Sequence, residues 1–305
     1  MGLSVKHLLD IASLTKEDIT LLLRRAASMK KRQANGTVHR TSLTGKIVMT
    51  IFAENSTRTR VSFETAALRL GASLINWDEK TSSAAKGETF SDTIKYIAGY
   101  KPDAIIIRHS EYNAPYFVSK QLDCPVINAG DSWREHPSQA LLDAMTILEY
   151  RPSLEGLTVA ICGDIAHSRV ANSNIELLTK MGAHVHLIAP PLLLPQKVLN
   201  LNVKLFQTLE EGLPGCDVVM MLRLQKERMD QAMIPDDAGY FREYGLTQSR
   251  LALAKPDAIV LHPGPMNRNV EIADDVADDP VRSVIFQQGA NGVPARMAIL
   301  DLLLS

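Results

Sequence analysis

One pattern limits what this chain can fold into: short, β-prone apolar runs alternate with helix-like runs almost from end to end. The runs predict strands at 46–52 ("KIVMTIF"), 103–108 ("DAIIIR"), 157–162 ("LTVAIC"), 184–189 ("HVHLIA"), 217–222 ("DVVMML") and 257–261 ("DAIVL"). Between them the spacing predicts helices at 16–34, 58–70, 88–100, 136–150, 168–181 and 294–304. Such alternation specifies an α/β fold of mainly parallel sheets flanked by helices. A chain of 305 residues has length for two such domains, each with its own core. The segment "EYRPSLEGL" (149–157) ends a helix with Pro152 and Gly156 before a new strand, so the expected division is 1–150 and 151–290. By its own pattern the last helix, in 291–305, suits either domain. Open parallel sheets bind ligands beyond the carboxyl ends of their strands, which predicts an active site in the cleft between the two domains.

Charge and composition remove several function classes. The formal net charge is −1, so no global field recruits nucleic acid or an acidic membrane. An anionic ligand must then be held by local positive charge. Cys124, Cys162 and Cys216 are widely spaced and form no CxxC pair, which predicts reduced thiols rather than a disulfide framework or a zinc site. The opening "MGLSVKHLLD" lacks the apolar run of a signal peptide, and Lys6 stands where a myristoylation motif needs Ser or Thr. No run reaches the apolar length of a membrane span. The expectation is a cytoplasmic protein without nucleic-acid or membrane partners.

The stretch "ENSTRTR" (54–60) joins the first strand to the helix ending at Gly71. In that helix Val61, Ala66, Leu68 and Leu70 read as the apolar set. Ser56, Thr57 and Thr59 bring hydroxyls, Arg58 a fork of N–H donors, and the helix start its free backbone N–H groups. Together these describe a cradle for phosphate. An N-cap followed by surface arginines accounts for one hydroxyl, but not for five polar residues at a strand's end. The Gly-rich Walker pattern is absent.

Other motifs are individually ambiguous. "TSSAAKGETFSDT" (81–93) carries Lys86 and reads either as a solvated loop or as a mobile loop delivering charge to a phosphate. Arg108 ends a core strand, at the ligand edge or just past it. His136 and Gln139 lie three apart at the start of a helix that admits Pro137 in its first turn. A neutral His136 there either polarises a carbonyl oxygen or merely caps its helix. In the second half, Arg169 opens a helix, and Arg223 and Gln225 share one side of a strand end. "LHPGPMNR" (261–268) forces a rigid turn that suits a cis Gly264–Pro265 bond.

"STRTR", "HPSQ", "RLQKER" and "HPGP" occur in the order and at the separations of one family. The whole chain resembles the aspartate/ornithine carbamoyltransferases, and Arg223-x-Gln225 with a cysteine-free "HPGP" places it on the aspartate side. The resemblance implies transfer of a carbamoyl group from carbamoyl phosphate to L-aspartate. It implies that Ser56, Thr57, Arg58 and Thr59 bind the phosphate, with Ser82 and Lys86 donated by a neighbouring subunit in a trimer with shared sites. Thr59, Arg108 and His136 would hold the carbonyl oxygen, Gln139 the carbamoyl amino group, and the Pro263 and Gly264 carbonyls the carbamoyl nitrogen. Arg169, Arg223 and Gln225, with Lys86, would hold the carboxylates of aspartate. The last helix would return to the first domain. No metal, redox cofactor or covalent intermediate is implied. Regulatory chains or dihydroorotase are the implied partners, the latter from "RLQKER" and "HPGPMNRNVEI". Three departures stand out: Ser138 where threonine is frequent, Gly264 where other branches have leucine, and bulky Trp133 and Arg134 where small residues are common.

Overall fold

The computed structural model describes residues 2–36, 41–77, 87–195, 202–225 and 236–305. They form two compact units, one of residues 1–145 with 291–305 and one of residues 146–290.

The first unit holds α1 (Lys16–Ala34), β1 (Ile47–Phe52), α2 (Thr57–Leu70), β2 (Ser73–Trp77), α3 (Phe90–Gly99), β3 (Ala104–His109), α4 (Ala114–Ser119), β4 (Val126–Asp131) and α5 (Pro137–Leu148), whose last turn passes into the second unit. Its four strands are all parallel, in the order β2-β1-β3-β4. β1, β3 and β4 are almost wholly buried, as parallel strands covered on both faces must be, whereas the edge strand β2 is largely exposed.

Two helix starts show local sequence at work. Thr15 and Asp18 form a capping box on α1: each accepts the other's backbone N–H at 3.1 Å. α2 differs from its sequence-based reading. It buries Phe63, Ala66, Ala67 and Leu70, while Val61 and Leu68 are more than half exposed. The buried set spaces at three, one and three residues, a tighter stripe than the expected one.

The second unit holds β5 (Thr158–Cys162), α6 (Arg169–Lys180), β6 (His184–Ile188), β7 (Val203–Phe206), α7 (Leu209–Gly212), β8 (Val218–Met221), α8 (Asp237–Tyr244), α9 (Gln248–Leu251), β9 (Ile259–Leu261), α10 (Asp274–Ala277) and α11 (Ile285–Ala290). Its sheet is parallel too, in the order β7-β6-β5-β8-β9. Val219, Met221, Val260 and Leu251 lie in the core on one side of it. The final helix, α12 (Gly292–Leu304), packs on α1 and α2 of the first unit. It is apolar nearly all round, and ten of its thirteen residues are buried.

Both sheets reverse their direction of winding once, between β1 and β3 in the first unit and between β5 and β8 in the second. Side by side at those switch points lie the loops after the paired strands, where a doubly wound sheet opens a crevice.

Candidate active site

In the first unit the switch point brings together "ENSTRTR" after β1 and Arg108 at the end of β3. Phe52 pairs with Arg108 in the ladder, and the Ala53 N–H continues it to the Arg108 carbonyl at 3.0 Å. Ser56 is the N-cap of α2, yet its hydroxyl makes no capping hydrogen bond. The first turn of α2 contains no acidic residue, so nothing in that turn offsets the positive end of the helix. Thr57 and Arg58 are exposed, whereas Thr59 is buried. The Thr59 hydroxyl lies 3.4 Å from Nε2 of His136, which arrives from the loop before α5. Arg108 is tethered from β1's side: its Nε donates to Glu54 Oε2 at 3.2 Å. The first unit thus gathers Ser56, Thr57, Arg58, Thr59, Arg108 and His136 from three separate segments: the start of α2, the end of β3 and the approach to α5.

The loop leading to His136 is fixed by Arg134. Its Nε meets Asp131 at 2.7 Å, and Nη2 donates to the Leu9 carbonyl at 2.9 Å. The Asp131 carboxylate also accepts the Glu135 N–H at 3.2 Å. Trp133 instead faces solvent beside Tyr112. Of the two bulky residues, one clamps the loop and the other leaves it. His109, next to Arg108, serves the fold: its Nδ1 accepts the Glu111 N–H at 3.0 Å, and its ring packs on Phe90. Gln139 lies one turn into α5, buried, and its Nε2 donates to Asp143 Oδ1 at 2.9 Å. Ser138 is fully buried and faces away, with Oγ 3.5 Å from the Arg296 guanidinium. Ser82 and Lys86 lie outside the described residues.

In the second unit the switch point gathers the loops after β5 and β8. Gly163 follows β5 at φ +119°, and a Cβ there would stand 2.7 Å from the Leu222 carbonyl oxygen. Only glycine lets the two loops approach this closely. Asp164, fully buried, then ties them together. It bonds His167 Nδ1 at 2.8 Å through one oxygen and accepts the Gln225 N–H at 3.2 Å through the other. The Gln225 side chain donates to the His167 carbonyl at 3.1 Å. Arg169, the first residue of α6, is buried behind its N-cap Ser168, whose hydroxyl accepts the Ala171 N–H. Arg223 and Gln225 are half-buried while Leu224 between them is buried, the alternation expected of an extended chain.

The turn after β9 contains the cis Gly264–Pro265 bond, with Gly264 at φ +65°. The Gly264 N–H donates to His262 Nδ1 at 2.9 Å. His262 therefore carries its ring proton on Nε2, which donates to the fully buried Glu271 at 3.0 Å. The supporting roles of Asp143, Asp164, Glu271 and Arg134 were not expected from sequence, although the bulk of Arg134 had stood out. Asp143 also left a signal, four residues after Gln139 on the same helix face.

Among the described residues no helix is long and apolar enough to cross a membrane. Residues 6–149 match the family model for the carbamoyl-P binding domain of aspartate/ornithine carbamoyltransferase, and residues 155–303 match its Asp/Orn binding domain. The chain is 52% identical over 297 residues to the aspartate carbamoyltransferase catalytic subunit of Granulibacter bethesdensis, covering 97% of this chain and 94% of that one. It is similar to aspartate transcarbamoylase from Trypanosoma cruzi in complex with carbamoyl phosphate and aspartate, at 33% identity and TM-score 0.88, over 98% of this chain and 95% of that one. It is also similar to ornithine carbamoyltransferase from Pyrococcus furiosus, at 31% identity and TM-score 0.90, over 99% and 98% of the two chains. Backbone likeness is thus shared by both amine branches, whereas the identity of about half points to one.

Proposed function

The chain belongs to the aspartate/ornithine carbamoyltransferase family, and on that premise we propose which residues carry its reaction. It is an aspartate carbamoyltransferase in activity, moving the carbamoyl group of carbamoyl phosphate onto the amino group of L-aspartate to give N-carbamoyl-L-aspartate and phosphate. The first unit is the carbamoyl-phosphate domain and the second the aspartate domain.

Ser56, Thr57, Arg58 and Thr59 bind the phosphate, aided by the open N-terminus of α2. Thr59, Arg108 and His136 donate to the carbonyl oxygen, Gln139 meets the carbamoyl nitrogen, and so do the backbone carbonyls of Pro263 and Gly264. Arg169, Arg223 and Gln225 hold the two carboxylates of aspartate, the guanidinium fork suiting a carboxylate. The deprotonated amine attacks the carbonyl carbon, a C–N bond forms, the C–O bond to phosphate breaks, and the departing phosphate accepts the amine proton. Charge grows on the carbonyl oxygen in the transition state, where a preorganised donor is worth about 3–4 kcal/mol.

The observation that carries this reading is the approach of Thr59 Oγ1 to His136 Nε2 at 3.4 Å. Two donors far apart in sequence converge at the mouth of the phosphate-binding helix, as an oxyanion site requires. The resemblance supports two further points: a homotrimer in which Ser82 and Lys86 complete a neighbour's site, and dihydroorotase or a regulatory chain as partner. A cytoplasmic location rests on the cysteine pattern and the opening residues read above. The test is product formation by the purified chain from carbamoyl phosphate, with L-aspartate and L-ornithine run in parallel. Carbamoyl-aspartate alone is expected. Citrulline instead would overturn the assignment of Arg223 and Gln225.

A further inference from the structure

Gln139 presents an amide whose two ends look alike in shape but differ in chemistry. If its oxygen faces the carbamoyl NH2, it accepts a hydrogen bond; if its own NH2 faces that group, two donors collide. Nothing within Gln139 decides between these orientations. Its neighbour on α5 does. Asp143 lies one turn on, fully buried, with Oδ1 2.9 Å from Gln139 Nε2. An ionised carboxylate can only accept, so it captures the NH2 end and turns the amide oxygen the other way.

A buried cation from the last helix shares this unit. Arg296, from α12, is 3% exposed, and Asp143 is the charged group that acts on it. Burial pulls the Arg296 guanidinium down to about 10, with Asp143 opposing that fall, so it stays cationic at neutral pH. Two features show that a place is built for this cation. It lies over the Phe63 ring of α2 at 4.9 Å, and Gly292, one turn earlier on α12, leaves room that a Cβ would deny, only 2.6 Å from Nη1.

We propose that Asp143 is a positioning residue that fixes the orientation of the Gln139 amide, so that the site selects a carbamoyl NH2 over a methyl group. This rests on the reading above that Gln139 meets the carbamoyl nitrogen.

The test compares two stable phosphonates of equal shape: phosphonoacetamide, which presents an NH2, and acetonylphosphonate, which presents a methyl group. Their dissociation constants and that of inorganic phosphate are measured for the full-length wild type, Gln139→Ala and Asp143→Asn. The wild type is expected to prefer the amide. Asp143→Asn, which can offer either an oxygen or an NH2 to Gln139, is expected to lose about three- to tenfold of that preference, the range of one net hydrogen bond. Its phosphate affinity is expected to stay within twofold. If Asp143→Asn is too unstable to assay, Asp143→Asn with Arg296→Met removes the unpaired buried cation and serves in its place. A wild-type preference in the Asp143 variant, with the preference lost in Gln139→Ala, would overturn the positioning role. An equal loss of affinity for all three ligands would overturn it as well, showing Asp143 to be structural only. A preference that survives Gln139→Ala would instead overturn the placement of Gln139 at the carbamoyl nitrogen.

Discussion

Arg58 and Asp164 sit at opposite extremes of burial, and their substitutions should separate chemistry from scaffolding. Arg58 is exposed in the first turn of α2, so its removal costs the fold little. Arg58→Ala is expected to lower kcat/KM by about a hundredfold or more, as loss of a donor to a reacting group does. Its thermal midpoint should remain close to wild type; near-normal turnover would sink the phosphate-site assignment. Asp164 touches no substrate in the proposed scheme, yet it holds His167 and Gln225 at once. Asp164→Ala leaves two partly buried N–H groups without their acceptor and is expected to cost about 1 kcal/mol or more. The informative readout is kinetic. KM for aspartate should rise severalfold while phosphate affinity holds, because the tie lies wholly in the second unit. A stability loss with an unchanged KM would confine Asp164 to the fold. Neither Asp164 nor Glu271 could be read from sequence, because an acidic residue after a strand means nothing until the partners that bury it are known.

At the scale of the element, the capping box of α1 makes a pH prediction. Burial pushes the Asp18 carboxyl up, but hydrogen bonds from Ser4 and Thr15 outweigh it and hold the carboxyl below its ordinary range. A carboxyl depressed in the fold stabilises it above its unfolded value, about 3.9. That contribution is lost as pH falls through the folded value. Asp18→Asn is therefore expected to be less stable than wild type at pH 7, with the gap closing below about pH 4 in urea titrations. A gap independent of pH would show that the carboxylate charge plays no part. Element by element, the strongest strands were legible because burial on both faces leaves an unbroken apolar run. β4 was not, since "VINAGD" contains residues of low β-propensity. Its Asn128 holds the strand another way, donating to the Leu9 carbonyl and to Asp131 at 2.9 and 2.8 Å. The edge strands β2 and β7 were missed for want of burial, having only five and four residues with no continuous apolar face. On α2 the error ran the other way: Val61 and Leu68 are apolar yet face solvent.

For the whole molecule, the positions of the candidate residues were more legible than the groups that support them. The strand-end rule anticipated where Ser56–Thr59, Arg108 and the Arg223–Gln225 pair stand, at the carboxyl ends of β1, β3 and β8. Their roles, and that of His136, came from the family resemblance. Some groups that orient them, Glu54 on Arg108 and Asp164 on Gln225, meet from 54 and 61 residues apart, and sequence spacing holds no record of such meetings. α12 is the largest of these long-range debts. It seals the first unit from the far end of the chain, burying Met297, Ile299 and Leu300 and pairing Asp301 with Arg25 of α1. Its Asn291 accepts from Lys30 at 2.8 Å. Full burial of each of those apolar side chains is worth about 1.5–3 kcal/mol, against a total stability of about 5–15 kcal/mol. A chain ending at Ala290 is thus expected to lose the fold of its first unit and expose the inner faces of α1 and α2. The second unit, whose core draws on residues 146–290, should persist. Limited proteolysis should then yield a resistant fragment beginning near residue 146, and binding of inorganic phosphate should be abolished. If the truncated chain instead binds phosphate with native affinity, then α1 and α2 hold their places without α12.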